Sequence, residues 1–307
     1  MSRETLMKLR LPIVAAPMFL VSGPEIVIAA AQAGVIGSFP TPNCRTAKQL
    51  DDWMTQIAAE TAGTQGVWAA NLVTHSTNTR LSVDLELIAK HQPPIVITAL
   101  GSPAPAISTV HEYGGVVFAD VVSIGLAKKA AAAGADGLVA VSAGAGGHTG
   151  HLSPFAFISA LREFFEGTIC VGGAISDGAG VAGAIAAGAD LVYMGTRFLA
   201  AKESMAVPEY KDMVVAAGAD DLVVSDTVTG TAASWLKPSL AANGYDLNDL
   251  SKPETRNYGG DDIGTRWKDL WAAGQGVGSV TSQQSVADII DQIAQEFSLA
   301  QERLAQY

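Results

Sequence analysis

Three segments of the chain share one grammar, and that repeat constrains the fold more than any other feature of the sequence. AAAGADGLVAV (131–141), AAGADLVYMG (186–195) and AAGADDLVV (216–224) each pass from an alanine-rich helix end, through a glycine and an aspartate, into an apolar run. The glycine suits a left-handed helix cap, and continuous apolar strands joined by helices imply a parallel sheet covered on both faces.

The rest of the chain follows the same order. Strand-like runs at 13–16, 35–39, 67–73, 94–100, 116–122, 137–143, 168–171 and 191–194 alternate with helical patterns at 25–33, 47–61, 83–91, 104–113, 127–133, 154–166 and 178–187. Eight such units in about 200 residues predict an α/β fold closed as a (β/α)8 TIM barrel, in preference to a doubly wound open sheet. The third repeat leaves the count open by one unit. Residues 1–200 are thus expected to form the barrel core, and 285–307 a helix packing on it. The stretch 201–284 is expected to be an insertion over the barrel mouth, helical at 210–217, extended at 222–230 and irregular at 235–271, where Trp235, Trp267 and Trp271 fall. Its aromatics suit a lid or the surface of a homodimer.

Composition narrows the class of function. The 307 residues are 49% hydrophobic and 16% charged, enough for a large core. Nineteen basic against thirty acidic residues give a net charge of −11, which argues against nucleic-acid and anionic-membrane partners. Cys44 and Cys170, in no metal or redox spacing, predict buried, inert thiols in a reducing compartment. Pro12 and Pro17 interrupt the N-terminal apolar run, so it does not read as a signal peptide, and no run of about 20 apolar residues offers a membrane span. A cytoplasmic enzyme is the default expectation.

In a barrel, chemistry sits at the C-terminal ends of the strands, and the loops after the seventh and eighth commonly hold phosphate. Here those loops are VGGAISDG (171–178) and MGTRF (194–198). Gly172, Gly173, Gly195 and Thr196 offer backbone N–H groups and a hydroxyl, although glycine pairs also make ordinary tight turns. His148 lies among Gly144, Gly146, Gly147 and Gly150, where an imidazole titrating near neutrality suits proton transfer; the alternative is a loop histidine bonded to a carbonyl. The spacing of His148 and His151 lacks a third ligand for zinc. Gly178, Gly180 and Gly183 match a dinucleotide fingerprint but begin too late after the strand, so close helix packing is the better reading. Asn71, at the end of an apolar strand, is harder to assign to solvent than His75 or Asn78.

The stretches AGAGGHTGHLSPFAF, VGGAISDG, GADLVYMGTRF and LPIVAAPM together resemble the nitronate monooxygenase (2-nitropropane dioxygenase-like) family, and GTxxSWLKPSL and WKDLWAAGQGVGSV are similar to a bacterial branch of it. The resemblance implies a barrel with non-covalent FMN. The phosphate would lie on Gly172, Gly173, Gly195 and Thr196, and the ring near Ala16, Pro17, Met18 and Asn71, over Gly146 and Gly147. It also implies His148 as the group that accepts a proton from a nitroalkane or orients the nitronate, with O2 as co-substrate and a carbonyl compound and nitrite as products. Asp120 stands where a reductase branch of the group carries lysine, and either binds the flavin or caps the next helix. Three other readings stay open: an FMN-dependent NAD(P)H enoyl or quinone reductase, a flavin-free isomerase or lyase holding a phosphorylated metabolite, and a non-catalytic flavin carrier.

Overall fold

A computed structural model describes residues 6, 8–228, 230–250 and 268–307. Eight parallel strands close into a barrel: β1 (Ile13–Ala15), β2 (Ile36–Pro40), β3 (Val67–Val73), β4 (Ile95–Ala99), β5 (Val116–Val121), β6 (Gly137–Val141), β8 (Thr168–Gly172) and β9 (Leu191–Met194). Between β6 and β8 a two-residue strand, β7 (Gly147–His148), leaves the barrel and joins β10 (Leu222–Ser225) and β11 (Ala233–Leu236) in a small antiparallel sheet. The fold is a (β/α)8 TIM barrel, as the strand count predicts.

The alternation of side chains along each strand splits the core in two. Val14, Ile36, Ala69, Ile97, Phe118, Val139, Cys170 and Leu191 fill the barrel interior. Their neighbours Ala15, Ala70, Val96, Val117, Leu138, Val171 and Val192 face outward and pack under the helices. Because the period is two, Asn71, Asp120, Val141, Gly172 and Tyr193 share the inward face, one step nearer the C-terminal ends of their strands.

The repeat has a physical cause in two copies and loses it in the third. Gly134 (φ +97°) and Gly188 (φ +107°) adopt the left-handed backbone that ends their helices. The following aspartates reach across to the neighbouring strand: Asp136 accepts from the Val117 N–H at 2.8 Å, and Asp190 from the Ile169 N–H at 2.9 Å. In the third copy Gly218 has φ −110°, the aspartate at the matching position, Asp220, is exposed, and the next residue, Asp221, accepts from the N–H of Gly218 itself. With no barrel neighbour to bond, that copy delivers β10 to the outer sheet, which settles the strand count at eight.

The terminal helix Val286–Leu304 is capped by Ser285 and buries Val286, Ile289, Ile290 and Ile293 against the barrel layer. It lies so close to the helix Gly178–Ala186 that a Cβ on Gly178 would stand 2.2 Å from the Phe297 nitrogen. The first glycine of the apparent dinucleotide fingerprint, Gly178, is therefore a helix-packing residue. The described part of 201–284 is more regular than expected, with a helix at Pro208–Ala216, strands β10 and β11, and a short helix at Lys237–Ala242. Trp235 is fully buried, and Trp271 stacks on Tyr210 with ring centroids 5.1 Å apart. Trp267, Pro253 and the Gly259–Gly260 pair lie outside the described residues. No helix among the described residues is long and apolar enough to cross a membrane.

Candidate active site

The chain leaving β6 is laced to three other segments at the C-terminal end of the barrel. Ser142 donates to the Gly172 carbonyl at 2.7 Å, and the Gly144 carbonyl accepts from Ala174 at 3.2 Å and from Gln275 at 2.9 Å. The glycines let these backbones meet. A Cβ on Gly146 would stand 2.6 Å from the Gly274 nitrogen and 3.1 Å from Thr196 Oγ1. One on Gly173, whose φ of +138° already favours glycine, would stand 2.7 Å from the Ala143 carbonyl oxygen. The low bulk expected to leave room for a ligand serves first to let loop approach loop.

Thr196 Oγ1 accepts from the Gly274 N–H at 2.8 Å, which leaves the hydroxyl proton free to donate elsewhere. Gly195 touches the first strand's loop, its notional Cβ being 3.6 Å from both Ala16 Cβ and Met18 Sδ. Ala16 itself donates to the Met194 carbonyl at 2.9 Å, and Met18, beyond Pro17, is tied to Ser22 and Asn43. The loops after β1, β6, β8 and β9 thus converge with the segment 272–276. That last partner, Gly274–Gln275, was missed by spacing arguments because it lies some 80 residues beyond Thr196 in sequence. Its signal was the glycine pattern of GQGVGS, which the reading of an irregular insertion absorbed.

A second group lies inside the barrel, below these loops. Asn71 is buried and donates from Nδ2 to the Ile97 carbonyl at 3.1 Å. Asp120 Oδ1 and the Tyr193 hydroxyl are buried with no hydrogen-bond partner among the described residues. Burial raises the Asp120 carboxyl from 3.8 to about 7. Burial raises the Tyr193 phenol and the Cys170 thiol as well, and the charge of Asp120 adds to both. Asp120 does not cap the following helix; Ser123 does, its hydroxyl accepting from the Leu126 N–H at 3.3 Å. Tyr193 was not singled out from sequence, since a tyrosine in an apolar strand reads as core until its register is known.

His148 is raised off the barrel. On β7 it pairs with Ala233 of β11, in register with Gly147 opposite Ser234. It is half-buried, and desolvation lowers its imidazole below the usual 6.5, favouring the neutral ring. His151 is exposed, and no group of three His, Cys, Asp or Glu side chains among the described residues could hold a metal. His75 and Asn78 organise their own turn, His75 Nδ1 lying 2.8 Å from Thr77 Oγ1 and Asn78 Nδ2 donating to the Val73 carbonyl at 2.7 Å. Cys44 is inert as expected, burial pushing its thiol up to about 12.

Residues 2–296 match the family described as nitronate monooxygenase. The chain belongs to the nitronate monooxygenase family. This is a family of oxidoreductases, and membership implies a flavin cofactor. Nitronate monooxygenase of Neurospora crassa is 26% identical over 95% of this chain and 89% of its own length. A (3aS,4S,5R,7aS)-5-hydroxy-7a-methyl-1-oxo-octahydro-1H-indene-4-carboxyl-CoA dehydrogenase of Rhodococcus jostii is 29% identical over 75% of the chain. The match spans 63% of that relative's own length. FabK from Thermotoga maritima has the same fold, with a TM-score of 0.81 at 25% identity over 98% of this chain and 97% of its own.

Proposed function

We propose that this chain oxidises alkyl nitronates with O2 on a bound FMN, giving a carbonyl compound and nitrite. The observation that carries the reading is the neutral, half-buried imidazole of His148, held by the outer sheet beside the loops that converge at the barrel mouth. Bound FMN would supply the electron transfer that a protein side chain cannot. The residues present fit it. Gly172, Gly173, Gly195 and Thr196 would hold the phosphate through backbone N–H groups and the free hydroxyl proton of Thr196. Ala16, Pro17, Met18, Gly146 and Gly147 would bound the ring, and Asn71 and Asp120 would meet it from within the barrel, where an orphaned carboxyl oxygen waits for a ligand.

A neutral His148 accepts the α-proton of a nitroalkane, and its ring N–H can donate to the oxygens of an existing nitronate. The net charge of −11 does not draw the anion in, so its binding rests on local donors. The described part of 201–284 shapes the site through β11, which fixes the strand carrying His148. The test is an anaerobic titration of the flavin-bound protein with propyl-2-nitronate, and separately with NADH and NADPH, followed by air and a nitrite assay. Reduction by nitronate alone, with nitrite formed, is the expected result. His148→Asn should cost about 10²–10⁴-fold on neutral nitroalkane and far less on preformed nitronate, which has no proton to give up. With nitroalkane, kcat/KM should fall as pH drops through a value below 6.5, where the imidazole protonates.

A second reading, an FMN-dependent reductase using NAD(P)H, is favoured by the likeness to FabK and to the Rhodococcus dehydrogenase. Rapid bleaching by a nicotinamide with no response to nitronate would establish it instead.

A further inference from the structure

Three acids face the interior of the barrel mouth, and no basic side chain among the described residues shifts any of them. Asp120, Cys170 and Tyr193 lie on the inward faces of β5, β8 and β9, close enough that the charge of Asp120 bears on both partners. No ion pair to Asp120 occurs among the described residues, and its register partner on β6, Val139, is uncharged. The charge of Asp190 also bears on Cys170 and raises it further, and His148 belongs to the outer sheet.

An ionised carboxylate in such a place would have neither a cation nor a donor for Oδ1, and leaving a buried charge unmatched costs several kcal/mol. The neutral acid avoids that cost and turns Asp120 from an acceptor into a donor. The Tyr193 hydroxyl, buried and unpartnered, is a second donor on the same inward face. A donor pair at the ends of the strands suits a ligand that presents acceptors to the barrel. Asp120 belongs to the barrel ladder, whereas His148 is lifted above it on β7, so whatever lies directly on the strand ends meets Asp120 first. A flavin ring offers unprotonated nitrogen and carbonyl acceptors along one edge.

We propose that Asp120 binds the flavin as a neutral carboxylic acid, donating with Tyr193 to acceptors of the ring from inside the barrel, so that flavin binding and protonation of Asp120 are linked. The inference rests on the flavin reading above. Its consequence is an affinity that weakens with rising pH, since only the protonated acid can donate. Because burial already sets this carboxyl near pH 7, the dissociation constant should rise by up to tenfold per pH unit above that point.

The experiment is equilibrium binding of flavin to the apoprotein, followed by flavin fluorescence from pH 6 to 9. Riboflavin is used beside FMN because it lacks the phosphate, which itself titrates near pH 6. The expected result is a dissociation constant for riboflavin that increases at least tenfold between pH 7 and 9 in the wild type. Asp120→Asn, which keeps an N–H donor and cannot ionise, should bind with an affinity flat in pH, and Tyr193→Phe should weaken binding at every pH while keeping the slope. A wild-type affinity that is flat in pH, or that tightens as pH rises, overturns the proposal, the latter showing that a carboxylate accepts from the ring. Failure of both flavins to bind at any pH would overturn the flavin reading itself, and with it this inference.

Discussion

Two glycine-rich stretches of the chain, Gly144–Gly150 and Gly172–Gly183, look alike in sequence and do different work. In the first, absent side chains let the loop after β6 meet Gly274 and Thr196, and the result is the convergence of loops to which we assign the flavin. In the second, Gly172 and Gly173 belong to the same convergence, but at Gly178 the missing Cβ admits the terminal helix. Composition registers both as glycine-rich. Only the identity of the atom that a Cβ would strike separates a glycine kept for binding from one kept for packing.

Substituting single glycines sharpens that comparison. The largest effect is expected for Gly178→Ala, whose Cβ would stand 2.2 Å from the backbone of the terminal helix at Phe297. Neither backbone can yield without parting the helices, so unfolding free energy should drop by about 1–3 kcal/mol in a denaturant titration, with flavin affinity per folded molecule unchanged. Gly146→Ala is expected to do the reverse. Its Cβ would press on the Gly274 nitrogen at 2.6 Å and on Thr196 Oγ1, opening the contact that ties the segment 272–276 to the mouth. Flavin affinity should fall by about tenfold, equivalent to ~1.4 kcal/mol, with a smaller change in stability. The smallest effect belongs to Gly183→Ala. The nearest atom to its Cβ is Phe155 Cζ at 3.9 Å and the site is helical, so stability should rise by about 0.4–1 kcal/mol through a less flexible unfolded chain. If Gly178→Ala lost flavin affinity as strongly as Gly146→Ala, the division of labour between the two stretches would be wrong.

Much of the architecture was legible because it rests on local rules. The eight strands and seven intervening helices follow from apolar runs, prolines near helix starts and glycines past helix ends, as with Pro24 before Ile26–Ala31 and Gly34 after it. His148, Asn71 and Asp120 were legible as candidates because each is a polar group at a strand end or in a glycine-rich loop. The readings left open were those in which a local pattern had two physical outcomes. The sequence Ala216–Val224 obeys the barrel repeat, yet its aspartate, Asp220, stays exposed, the adjacent Asp221 turns back on Gly218 and the strand joins the outer sheet. Asp120 was open to binding the flavin or capping the next helix, and Ser123 is the residue whose hydroxyl reaches the Leu126 amide.

Sequence by itself determined the order of strands and helices, the closure into a barrel and the end at which chemistry gathers, because backbone propensity, side-chain period and strand polarity act over a few residues. Tertiary structure alone decided what meets at that end. That Gly274 donates to Thr196, that His148 is strung between β7 and β11, and that Asp120 and Tyr193 share one unpartnered interior depend on the registers of strands far apart in the chain. A shift of one residue in any of them would turn these side chains to the opposite face, and nothing within a few residues of any one of them records which face it takes.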